Sequence, residues 1–211
     1  MYSNIKCPLC ATLSDIYLNS NSIYYRCKEC CGIFAHKRDL IDLESEKEVY
    51  LQHTNDVEDK NYQKFVSPIT DVILKDFTPN SEGLDFGAGT GPVLSKVLED
   101  NGFNIKQYDP FFHNYPKLLE NRYDYIASCE VIEHFHNPYK EFKLLKNMLK
   151  PDAKLYLMTE IYNNGIDFAS WYYKNDPTHI FFYSKESLLW IKNEFDFKSV
   201  SINKRLVIFE N

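Results

Sequence analysis

Residues 83–92 read GLDFGAGTGP: a short apolar run carrying Asp85, then Gly87, Gly89 and Gly91 at alternate positions. Glycine at such a place clears side chains from a backbone that something approaches closely. A dinucleotide fingerprint needs G-x-G-x-x-G after a strand. Counted from Gly87, its third glycine falls on Pro92. A phosphate-binding loop ends in Gly-Lys-Ser/Thr, and this chain continues TGPVLS. Both phosphate readings fail at named positions. What remains is D-x-G-x-G-x-G with a second acid, Asp109, 24 residues beyond Asp85 at the close of FNIKQYD.

Around this loop, strand and helix signals alternate. GLDF, FNIKQYD, YDYIASCE and AKLYLMTE read as strands, PVLSKVLEDNG, NPYKEFKLLKNMLKP and SKESLLWIKNEF as helices, and KSVSINKRLVIFE as two final strands. Asn137-Pro138 starts the second of these helices and Pro151 is expected to stop it. Upstream, Tyr62, Phe65, Ile69, Ile73 and Phe77 recur at helical spacing, with Pro68 expected to kink or split that helix. The alternation predicts an α/β fold, a Rossmann-like, doubly wound and mainly parallel sheet that binds its ligand at the strands' carboxyl ends.

A chain of 211 residues allows one full domain and a small appendage. With 44% hydrophobic and 16% aromatic residues it can bury a core. A net charge of -6 argues against sequence-independent nucleic-acid binding, which needs a basic surface. No apolar run approaches the length of a membrane span, so no membrane partner is expected. The start, MYSNIKCPLCATLSDIY, lacks the charged-then-apolar layout of a secretion signal. The expected location is the cytoplasm, where thiols stay reduced.

In that compartment the cysteines read as metal ligands. Cys7 and Cys10 form one C-x2-C pair, Cys27 and Cys30 another, with sixteen residues between them. Two such turns on facing hairpins complete a four-thiolate shell, the pattern of a closed structural zinc site. Residues 5–36 resemble a zinc ribbon, with strands on either side of NSNS and a third in GIFAH. Cys31 and His36 are alternative ligands, while the isolated Cys129 lies in an apolar run. Residues 1–39 hold five basic side chains against three acidic ones, so with four thiolates on a zinc ion the module is near neutral. Three units follow: a zinc ribbon at 1–40, a linker and helical lid segment at 41–80, and the Rossmann-like domain at 81–211.

LDFGAGTGP, YDPFF, YDYIASCEVIEHFHNP, LKPDAKLYLMT and DPTHIFFYSKESL occur together in this order. The set resembles the class I S-adenosylmethionine-dependent methyltransferases, and HTNDVEDKNY with the ribbon is similar to their bacterial type-12 and type-23-like members. The resemblance implies that Asp85, Gly87, Gly89 and Gly91 surround the methionine part of S-adenosylmethionine. It further implies that Asp109 accepts the ribose hydroxyls, and that Cys129 and Glu130 end a strand beside the cofactor. In one place the chain departs from the family. Only fourteen residues, Pro110 to Tyr123, separate Asp109 from the next strand, too few for the usual helix and third strand. Phe111 or Phe112 could cover the adenine there.

An oxygen acceptor benefits from a general base that titrates near neutral pH. His179 in DPTHIFFY, His134 in EVIEH and His53 are the candidates, with His113 and His136 expected at the surface. Glu133 is placed to hold His134 or to begin a helix. Trp171, Tyr172 and Tyr173 suit a pocket wall near His179. The expected reaction is methyl transfer to a small-molecule acceptor. A methyltransferase that reads RNA or protein through the ribbon, and a non-catalytic cofactor-binding scaffold, are the competing classes.

Overall fold

The protein is described here from a computed structural model, which covers residues 5–52 and 55–211. Its first part is a small antiparallel sheet. Strands β1 (Ile5–Lys6), β2 (Leu13–Asn19), β3 (Ile23–Cys27) and β4 (Ile33–Ala35) follow one another as hairpins. Helix α1 (Leu43–Leu51) begins at Asp42, whose carboxylate caps Ser45 N–H. Helix α2 (Lys60–Asp76) is unbroken, with Pro68 inside it. The expected split is therefore absent, because Val66, Ile69, Thr70 and Ile73 bury one face and hold the helix together across the proline.

The alternating elements then appear in order: β5 (Gly83–Phe86), α3 (Val93–Asp100), β6 (Ile105–Tyr108), β7 (Tyr123–Cys129), α4 (Pro138–Asn147) and β8 (Leu149–Met158). Helix α4 ends before Pro151, as expected. The helix stops at Asn147 and β8 already runs through the proline, where its pairing with β7 shifts register between Tyr123 and Tyr125. The last elements are β9 (Phe181–Phe182), α5 (Lys185–Glu194), β10 (Ser199–Asn203) and β11 (Leu206–Glu210).

The main sheet has the order β10-β11-β8-β7-β5-β6. Strands β6, β5, β7 and β8 are parallel, β11 is antiparallel to β8, and β10 is antiparallel to β11. The sheet is thus mixed, with three parallel pairings and two antiparallel ones, and the two-residue turn after Asn203 returns as a hairpin. From β5 the chain steps outward to β6 and then back to β7, so the sequence order reverses at β5. This reversal is where open α/β sheets bind ligands. Between β6 and β7 only a single turn of 3-10 helix, Pro116–Glu120, is formed, and β6 is the sheet edge.

Both faces are covered. Val66, Ile69 and Ile73 of α2 and Val93, Leu94 and Leu98 of α3 pack on Tyr125, Ala127 and Tyr156. On the other face Phe142, Leu145, Leu188 and Ile191 of α4 and α5 meet Leu84, Ile126, Leu155 and Phe209. That second cluster also contains Cys7, Leu9, Tyr25, Cys30 and Phe34 from the small sheet. The small sheet gains its fifth strand from far along the chain, with Ile33 opposite Phe182 and Phe34 opposite Phe181.

Candidate active site and cysteine cluster

A cleft of about 910 Å³ opens where the sheet order reverses. Its lining includes Asp85 through Leu94, Tyr108 to Phe112, Cys129 to Val131, His134 to Asn137 and His179, and it is flanked by Leu43, Glu46, Tyr50, Asn55, Tyr62 and Phe65. The glycine loop is shaped by its neighbours. Gly87 has φ +84°, a left-handed backbone, and a Cβ there would lie 2.4 Å from Val131. A Cβ on Gly91 would fall 1.8 Å from the Asn55 carbonyl oxygen. The loop is fixed to the second strand, since Gly87 and Ala88 N–H both donate to the Tyr108 carbonyl, at 2.8 and 3.1 Å.

Asp85 is buried beneath this loop and accepts from Ser95 Oγ at 2.8 Å. Burial pushes its carboxyl up to about 7, against the pull of the Ser95 hydrogen bonds. Asp109 closes the turn beyond β6. Its Oδ1 accepts from Phe111 and Phe112 N–H at 2.8 and 3.1 Å, and its Oδ2 from Gly89 N–H at 3.0 Å. A carboxylate offers about four lone-pair positions. Three are used, so a grip on two hydroxyls requires Asp109 to release one turn bond.

Glu130 follows β7 with φ +54°, a conformation that costs a non-glycine residue about 1–2 kcal/mol and turns the strand end into the cleft. Its Oε2 lies 2.5 Å from Arg205 and accepts from Tyr173 at 3.2 Å. Its Oε1 is buried with no hydrogen-bond partner among the described residues. Burial, with the repulsion of Glu133, raises the carboxyl to about 8. Burial likewise pushes the Cys129 thiol far up, which keeps it a neutral wall.

Glu133 is 0% exposed, deeper than Glu130. It accepts from Thr159 Oγ1 at 3.0 Å and closely from the Tyr173 hydroxyl. The Ile180 N–H donates to the Glu133 carbonyl at 2.9 Å, which brings His179 alongside. His179 donates its Nδ1–H to the Tyr173 carbonyl at 2.7 Å, and His134 its Nδ1–H to that of Thr178 at 2.9 Å. Neither carbonyl can donate, so in the neutral form of each ring Nε2 is the basic nitrogen. The two rings are 4.8 Å apart. Burial holds the His179 imidazole below its usual range, outweighing Glu133.

His134 and His179 are thus brought together at one end of the cleft, while His53 lies outside the described residues. His113 does not line the cleft, whereas the exposed His136 does, 3.3 Å from Glu46. The aromatic run does not form the pocket wall expected of it. Trp171 and Tyr173 pack with Tyr24, Ile33 and Phe182 against the small sheet, and Tyr172 is 64% exposed. Tyr173 instead acts from behind, through its hydroxyl. The sequence offered one clue to Glu133, a second carboxylate three residues after Glu130 and next to His134 in EVIEH. For Asn55 and Tyr50 it offered none.

Away from the cleft, Cys7, Cys10, Cys27 and Cys30 bring their sulfurs within 4.8 Å of one another. Cys7 and Cys30 are 3.6 Å apart and Cys10 and Cys27 are 3.2 Å apart. Four thiolates at zinc–sulfur bond length sit roughly 3.8 Å from each other, so the cluster fits such an ion with small adjustments. Cys31 and His36 stand outside the group.

Residues 59–202 match a methyltransferase-domain family. A search of the curated proteins returns no match. Among solved structures, the chain is similar to an O-methyltransferase family protein from Burkholderia thailandensis, at 12% identity and a TM-score of 0.53, covering 78% of this chain and 61% of that one. It is similar to 1,6-didemethyltoxoflavin-N1-methyltransferase of the same organism, solved with 1,6-didemethyltoxoflavin and S-adenosylhomocysteine, at 11% identity and a TM-score of 0.56, covering 94% and 98%. A Haemonchus contortus N-methyltransferase, in complex with phosphomonomethylethanolamine and S-adenosylhomocysteine, gives 16% identity and a TM-score of 0.53, covering 74% and 46%. At these identities the likeness is one of fold.

Proposed function

Because the chain belongs to the methyltransferase-domain family, we propose that it transfers the methyl group of S-adenosylmethionine to a small-molecule acceptor bound in the same cleft. One observation carries this: the glycine loop, Asp109, Glu130, His134 and His179 line a single cavity. The cradle fits the cofactor. Gly87, Gly89 and Gly91 leave bare backbone, the start of α3 adjoins it, and the unpartnered Glu130 Oε1 suits an ammonium group. Asp85 supports the loop from below, Asp109 takes the ribose, Phe111 and Phe112 adjoin the adenine, and Cys129 forms the wall beside the sulfur. When bound, the cofactor supplies an electrophilic methyl group, and alignment of the acceptor supplies much of the acceleration.

We assign the acceptor to the end of the cleft faced by His134 and His179, with residues 41–80 as its lid. Glu46, Tyr50, Asn55, Tyr62 and Phe65 of that segment line the cavity, which supports the assignment. Among the described residues, none before Leu43 lines it. A polymer read by the small sheet would need a groove running onto that sheet, so this favours a small acceptor. The ligands held by two structural relatives are in keeping with that. Cys7, Cys10, Cys27 and Cys30 hold one structural zinc ion in this proposal, and residues 1–40 form its ribbon.

Calorimetry with S-adenosylhomocysteine tests the cofactor site. Replacing Asp109 by alanine removes charge-assisted hydrogen bonds and should weaken binding by about 10- to 100-fold. An unchanged affinity would remove the assigned ribose contact.

A further inference from the structure

We propose that Glu133, His134 and His179 form a binding site for a divalent first-row metal ion, distinct from the four-cysteine cluster and open to the acceptor end of the cleft. The proposal rests on the assignment of that end to the acceptor and deepens it. The ligand atoms of the three residues lie within 4.8 Å of one another. Two ligands on one ion at about 2.1 Å sit roughly 3.0–3.4 Å apart, so the widest pair closes by less than about 2 Å.

The donors are already oriented. Each histidine donates Nδ1–H to a backbone carbonyl, Thr178 for His134 and Tyr173 for His179. Such bonds fix the tautomer in which Nε2 is the basic, metal-binding nitrogen. Glu133 is held from behind by Thr159 and Tyr173. Outer hydrogen bonds of this sort aim a carboxylate ligand.

Charge points the same way. A fully buried carboxylate is costly unless a cation accompanies it. Among the described residues no lysine or arginine lies within 4.0 Å of Glu133, and His179 Nε2 is 4.0 Å from it. Arg205 pairs with Glu130 and Glu160 instead. A divalent ion between the carboxylate and the two imidazoles supplies the missing charge. Two imidazoles and one carboxylate suit manganese, iron, cobalt, nickel or zinc, and not calcium. His134 and His179 line the cleft whereas Glu133 lies behind them. The remaining coordination positions therefore face the cavity and take an oxygen donor of the acceptor. The acceptor class is one with a hydroxyl or carboxylate oxygen beside the methylated atom.

The test is titration of the zinc-loaded, full-length protein with manganese(II), followed by the paramagnetic resonance signal of the free ion. Manganese discriminates, because it prefers nitrogen and oxygen ligands to a thiolate cluster. The expected result is one manganese bound per chain beyond the zinc. Glu133→Gln and His179→Gln should each weaken it at least tenfold, with zinc content and S-adenosylhomocysteine affinity retained. The glutamine variants keep size and hydrogen-bonding capacity, and either carries the test if the other fails to fold. Absence of manganese binding, or equal binding in the folded variants, overturns the proposal. A wild-type protein that binds manganese but not S-adenosylhomocysteine would instead overturn the cofactor assignment and leave the metal site standing.

Discussion

Two buried acids beside the cleft have different tasks, and their surroundings separate them. Asp109 accepts from three backbone N–H groups, which hold its turn in place. Asp85 has Ser95 as its side-chain partner and is fully enclosed, so its carboxyl rises to about 7 from an ordinary value of 3.8. A group raised on folding stabilises the protein fully below its unfolded value and loses that contribution as pH rises through the folded one. The window for Asp85 therefore runs from about pH 4 to about pH 7. Asparagine at this position keeps an acceptor for Ser95 but cannot titrate. The stability of the ligand-free protein relative to Asp85→Asn should fall across the window by an amount on the order of 4 kcal/mol. Urea denaturation of both proteins at several pH values measures this, and a constant difference would contradict the burial argument.

Strand β9 is only two residues long, yet it joins the cysteine-bearing sheet to the segment that carries His179. The close fit is made at Gly32, where an added Cβ would lie 2.4 Å from the tip of the Phe181 ring. That ring cannot swing aside. It is buried, stacked on Phe34 and in contact with Tyr183 at 4.7 Å between centroids. Gly32→Ala should accordingly cost about 1–3 kcal/mol, the usual penalty of overpacking, read as a lower denaturation midpoint in urea. Unaltered stability would show that β9 is not seated as described. Nothing in FFY announced this pairing, because a two-residue strand has no period and its partner Ile33 is far away in sequence. The readable features were those with local spacing: the paired cysteines, the glycine loop and the acid ending β6. Pro68 does not split α2 for the complementary reason, since packing along that helix outweighs the local preference of a proline. In the sequence Glu133 reads as a holder of His134 or the start of a helix. Its role depends on Thr159 and Tyr173, which tertiary folding alone brings to it.

Across the whole molecule, the cysteine cluster and the cleft are separate sites set into one continuous core. Cys7, Leu9, Tyr25, Cys27 and Phe34 belong to the same buried cluster as Phe142, Leu188 and Phe209, with no apolar gap between them. Among the described residues no helix is long and apolar enough to cross a membrane. A module of about forty residues rarely supplies a sufficient core without a metal or a partner surface. Here the sheet has the α4–α5 face to pack on, and four thiols converge within it. Its loss should therefore be felt by the entire fold and not as a local melt. Cys27→Ser removes one ligand from the proposed zinc ion and leaves a polar group in a buried position. Calorimetry should show a single transition in the wild-type protein, displaced downward as a whole in Cys27→Ser. A loss of a few kcal/mol corresponds to roughly 10 °C in a chain of this size. Two resolved transitions, with the upper one unmoved by the substitution, would mean that the sheet folds independently and that the shared core is not cooperative.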